Sequence, residues 1–122
     1  MRVLIVESDT ARAALWRRHL VEADAEVVLA TGQAEAARTL LLAPVDVIIL
    51  GVALAEGSAI AVADLAGYRR PEAQIIFVSG SHMFTDGSLF RLCANACAMV
   101  PPDVPPADLV ALVEHHGRPS RG

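Results

Sequence analysis

Two short polar clusters and one gap hold whatever chemistry this chain can perform. The apolar run Val3-Leu4-Ile5-Val6 ends in Glu7-Ser8-Asp9, and the run Ile75-Ile76-Phe77-Val78 ends in Ser79. Polar residues at the ends of apolar runs are the groups that chemistry at a strand edge would draw on. A third run, Val47-Ile48-Ile49-Leu50, ends in Gly51, which contributes no side chain. Glu7, Ser8 and Ser79 alone are too few for an enzyme. No Ser/His/Asp spacing supports nucleophilic catalysis, and no catalytic residue is expected.

The remaining reactive residues read plainly. Cys93-x-x-x-Cys97 beside His82, His115 and His116 lacks zinc-knuckle spacing, and Cys97 opens an apolar strand, so no metal site is expected. His115 and His116 close a helix, where a cation complements the dipole. Gly51-x5-Gly57 lacks the Lys-Ser/Thr that completes a phosphate loop. Trp16, beside Arg17 and Arg18, reads either as a partner anchor or as a half-buried packing residue.

Composition narrows the classes further. The 122 residues suggest one domain, spanning about 1–117 with a disordered tail over 118–122. With 54% hydrophobic and 20% charged residues the chain is built to fold, and with 4% aromatics its core must be aliphatic. A net charge of -4 argues against binding to nucleic acid, which needs a concentrated basic face. No apolar run approaches the roughly 20 residues of a membrane span. The N-terminus turns acidic at Glu7, unlike a signal peptide. Two cysteines without a disulfide framework fit a reduced, cytoplasmic protein.

The elements that position these residues alternate. Strands are predicted over 3–6, 26–30, 47–50, 75–78 and 97–100, the third buried on both faces because its neighbours are polar only at its ends. Helices are predicted over 10–21, 33–42, about 58–65, about 84–95 and 107–115. Asp9 or Thr10 caps the first, whose Ala13, Ala14, Leu15 and Leu20 are predicted to face inward and Arg12, Arg17 and Arg18 outward. Pro44 stops the second. Five successive βα units imply an α/β fold: a doubly wound parallel sheet in a three-layer α/β/α sandwich, with strand order 2-1-3-4-5. Ligands of such folds sit at the C-terminal strand edge, here the loops 7–10, 51–57, 79–83 and 101–104.

Four of these segments, in order and at matching spacing, resemble the CheY-like receiver domains of response regulators, a flavodoxin-like fold. They are Val3 to Asp9, Asp46 to Leu54, Ile75 to Gly80, and Met99-Val100-Pro101-Pro102. The resemblance spans about Arg2 to His116. It implies an acidic pair at Glu7 and Ser8, a phosphoacceptor at Gly51, a backbone carbonyl ligand at Ala53, a switch hydroxyl at Ser79, a lysine at Pro101 and a rotating aromatic at Ala98. Of these, Glu7, the Ala53 carbonyl and Ser79 keep the expected chemistry. One carboxylate and one carbonyl make a poor Mg²⁺ site, and an acyl phosphate needs the missing carboxylate itself. A lysine with no acceptor to face would be an unpaired charge, so its loss is coherent with the glycine. Pro101-Pro102 is compatible with the cis bond that the family places there.

The expectation is a degenerate receiver with no cofactor, not an enzyme. It would act in two-component-type signalling through phosphorylation-independent contacts with a histidine kinase, a phosphotransfer protein or another regulator. The short tail after His116 suggests a stand-alone domain, so output would run through a partner or a homodimer. The family's partner face, formed by the helix near 84–95, the fifth strand and the last helix, holds Met83, Phe84, Phe90 and Ala98. The alternative is a small-molecule sensor using the space that the missing side chains leave near Gly51, Ser79 and Ala98.

Overall fold

A computed structural model describes residues 1–80 and 95–117. The elements are β1 (Arg2–Val6), α1 (Thr10–Glu22), β2 (Glu26–Ala30), α2 (Gln33–Leu42), β3 (Val47–Gly51), α3 (Ala59–Arg69), β4 (Gln74–Val78), β5 (Ala96–Val100) and α4 (Pro106–His116). The five strands form one parallel sheet in order β2-β1-β3-β4-β5, the predicted topology. The helix predicted near 84–95, with His82, Met83, Phe84, Phe90 and Cys93, and the tail 118–122 lie outside the described residues.

Alternation along the strands divides the core in two. Ile48, Leu50, Ile75 and Phe77 face one way, with Ala36 and Leu40 of α2 and Val62, Ala63 and Ala66 of α3. Val47, Ile49, Ile76 and Val78 face the other way, with α1 and with Leu109 and Val113 of α4. β1, β3 and β4 are covered on both faces, which is why their sequences read as unbroken apolar runs.

Several local expectations change. On α1 the inward residues are Ala13, Trp16 and Leu20, while Ala14 and Leu15 are exposed. The three buried positions follow the i, i+3, i+7 spacing of one helix face. Trp16 is only 1% exposed, so it fills the core and anchors no partner. α3 runs a turn further than predicted, through Gly67 to Arg69. The Arg70 guanidinium then donates to the Leu40 carbonyl at 3.0 Å, tying the end of α3 to that of α2. α4 opens on Pro106, a tolerated first-turn position. Among the described residues every peptide bond is trans, Pro101–Pro102 included. That segment enters a turn closed by the Val104 amide donating to the Pro101 carbonyl at 3.1 Å.

Candidate functional site

Register brings the polar residues together. β1 and β3 pair Ile5 with Ile49 and Val6 with Leu50. One step further along, Glu7 and Gly51 stand side by side, and side-chain alternation turns both toward the α1 layer. Gly51 also pairs with Val78 of β4, which brings Ser79 to the same edge. The result is a cavity of about 110 Å³ lined by Glu7, Arg12, Gly51, Val52, Ala53, Val78, Ser79, Gly80 and Pro102.

Glu7 occupies the centre of this site. A Cβ on Gly51 would stand 3.2 and 3.3 Å from the two Glu7 carboxylate oxygens, tighter than ordinary van der Waals contact. The glutamate therefore fills the approach that a side chain at 51 would use. It is 5% exposed, and both oxygens are engaged. Arg12 Nη1 donates to Oε1 at 3.2 Å, and the Asp9 amide donates to Oε2 at 3.3 Å.

Arg12 is the residue that sequence reasoning misplaced. Asp9 caps α1, its Oδ1 accepting from the Arg12 amide at 3.0 Å. The cap therefore sets Arg12 in the first turn, next to the strand end, and its guanidinium turns back onto Glu7 and to within 3.7 Å of Asp9 Oδ2. A signal was available: a cation in the first turn opposes the helix dipole and calls for a nearby carboxylate.

Ser8 points away from the cavity. Its hydroxyl donates to the Thr31 carbonyl at 2.9 Å and accepts from the Ala55 amide at 2.8 Å, linking the ends of β1 and β2 to the loop after β3. That loop is fastened to α2 as well. Glu56 Oε2 accepts from the Ala34 amide at 3.2 Å, so Glu56 caps α2 from a distance where Gly32 offers no side chain. The Glu56 carbonyl accepts from the Gln33 amide at 3.2 Å, and Gln33 Oε1 accepts from the Ser58 amide at 2.8 Å. Gly57, at φ +82°, makes the turn that lets both reach.

The other predicted positions separate. Ser79 lines the cavity, and its amide donates to the Val100 carbonyl at 3.0 Å. Pro101 is exposed at the end of β5, and Pro102 rather than Pro101 forms cavity wall, close to Gly80. Ala98 is half-buried, pairs with Ile76 and packs on the α1/α4 core. Met83, Phe84 and Phe90, expected on the same face, lie outside the described residues. Cys97 sits at a bulge between Ala96 and Ala98, its thiol donating to the Ile75 carbonyl at 3.4 Å, and burial pushes the thiol up to about 11. Among the described residues no three His, Cys, Asp or Glu side chains cluster as metal ligands, and no helix is long and apolar enough to cross a membrane.

Comparison with known proteins agrees on the fold. No protein-family model matches the chain, and no curated protein sequence does. Solved structures do. A CheY-like response regulator receiver domain protein from Methanospirillum hungatei JF-1 superposes with a TM-score of 0.86 at 25% identity, over 95% of this chain and 92% of that one. The signal receiver domain of a LuxO-type repressor protein from Vibrio parahaemolyticus gives 0.85 at 19% identity, over 95% and 88%. The response regulator TrrA from Thermotoga maritima, solved in complex with Mg(2+)-BeF, gives 0.80 at 20% identity, over 93% and 96%. The fold is that of CheY-like receiver domains.

Proposed function

We propose that this chain is a receiver-type signalling domain that has given up phosphoryl transfer and works by docking. Its role lies in two-component-type signalling, and its partner is a histidine kinase, a phosphotransfer protein or another regulator. The observation that carries this reading is the Glu7 carboxylate lying over Gly51, with Arg12 paired to it. A phosphoacceptor needs its own carboxylate with an open line of attack. Here the residue lacks the carboxylate, and another side chain fills the line. The fastened loop 55–58 supports a face held in one conformation, which a partner reads without a covalent signal.

The cavity at Gly51 is the observation that favours a small-molecule sensor. Its volume, about 110 Å³, is well below the roughly 300–1,000 Å³ of ordinary ligand sites. It suits a ligand of a few atoms at most, which leaves docking as the better-supported reading.

Incubation with acetyl phosphate and Mg²⁺, followed by intact mass analysis, tests the proposal. No phosphoryl adduct is expected, and partner affinity is expected to be the same with and without the phosphodonor. An adduct, or a phosphodonor-dependent affinity, overturns it.

A further inference from the structure

We infer that the Arg12 guanidinium takes the place of the divalent cation that a receiver-type site implies, so that the chain carries its own counter-charge and the site is blind to metal. This rests on reading the cavity as a degenerate receiver site. The donor set does not fit a divalent ion: one Glu7 oxygen accepts from Arg12 and the other from the Asp9 amide. The Ser8 hydroxyl is spent on Thr31 and Ala55, and Gly51 has no oxygen to offer beyond its backbone. With Arg12 in place, a hard cation would have to share these oxygens with a guanidinium of like charge to gain even two carboxylate ligands.

Arg12 meets the requirement that the cation would otherwise meet. The Glu7 side chain is 6% exposed, and a carboxylate this buried needs a paired positive charge. The planar donor fork of a guanidinium suits that task better than an ammonium, and all ten basic residues of this chain are arginines. Nor does α1 favour a cation where Arg12 stands, in its first turn at the positive end of the dipole. The pull comes from the two carboxylates it spans, Glu7 at 3.2 Å and Asp9 at 3.7 Å.

If the guanidinium stands in for the ion, the ion should stand in for the guanidinium. Thermal unfolding of the wild type, Arg12→Ala, Arg12→Lys and the double variant Glu7→Gln/Arg12→Ala, each with and without millimolar Mg²⁺, reads this directly. The wild-type midpoint is expected to ignore Mg²⁺. Arg12→Ala should melt about 4–8 °C lower and recover on adding Mg²⁺, and Arg12→Lys should fall between the two. The double variant, with no buried charge left to balance, should melt near the wild type and ignore Mg²⁺. It also keeps the inference testable should Arg12→Ala fail to fold. A Mg²⁺ response in the wild type overturns the inference, as does a double variant no more stable than Arg12→Ala, or an Arg12→Ala midpoint that Mg²⁺ leaves unchanged. None of these outcomes restores a phosphoacceptor, so acetyl phosphate labelling reports separately on the proposed function.

Discussion

The carboxylate oxygens of Glu7 lie 3.2 and 3.3 Å from the point where a Cβ on Gly51 would project. The glycine thus leaves room for the glutamate at position 7 to lie across the end of β3, where any Cβ would require the carboxylate to shift by a few tenths of an ångström. Two of the departures from the receiver pattern, a longer acid at Glu7 and a missing one at Gly51, pack against each other.

Gly51→Asp is therefore not a repair. The new side chain meets Glu7 sterically and brings a like charge beside it. We expect a loss of about 2 kcal/mol from crowding and charge together, read from urea unfolding, and no labelling by acetyl phosphate. Glu7→Ala/Gly51→Asp should regain part of the stability, because the crowding partner is gone.

Ser8 and Glu56 hold the loop after β3. Ser8→Ala removes a hydroxyl that serves Thr31 and Ala55 together, at a cost of about 1 kcal/mol since both groups are near water. Glu56→Ala removes the distant cap on α2 and should cost a similar amount, about 1 kcal/mol. In both variants amide exchange should speed up over residues 55–58 and leave β1 and β3 protected. Uniform loss of protection would contradict the loop-specific role.

Cys97 makes stability fall in alkali. Burial raises its thiol from the usual 9.0 to about 11 in the folded chain. The folded state then keeps a proton that the unfolded state has lost. This contribution is complete below 9.0 and disappears as pH rises through about 11. Cys97→Ala should flatten the pH dependence in that window when denaturant midpoints are compared with the wild type.

Much of this was legible in the sequence, for physical reasons. Strands such as Val47–Leu50 are buried on both faces and announce themselves as unbroken apolar runs. Gln33–Leu42 matched its prediction because Gly32 and Pro44 bracket it. Asp9 was one of two caps, with Thr10, offered by its place before the first helical turn, and it is the one the helix uses. Long side chains that turn back were not legible. Arg12 lies on a face that periodicity assigns to solvent, yet its length carries the charge back to Glu7. Glu56 caps a helix 22 residues away, and no local pattern encodes that. Trp16 was ambiguous because Arg17 and Arg18 beside it suggested a surface; its spacing from Ala13 and Leu20 decides for the core.

The most direct test of the central claim is an amide-resolved NMR titration of the intact chain with Mg²⁺ and beryllofluoride, the acyl-phosphate mimic. The account predicts no saturable shift at Gly51, Ser79 or the Arg12 side chain. Saturable shifts at those positions would mean that the site still binds the phosphoryl group's mimic, and the reading of Glu7 and Arg12 as its replacement would be wrong.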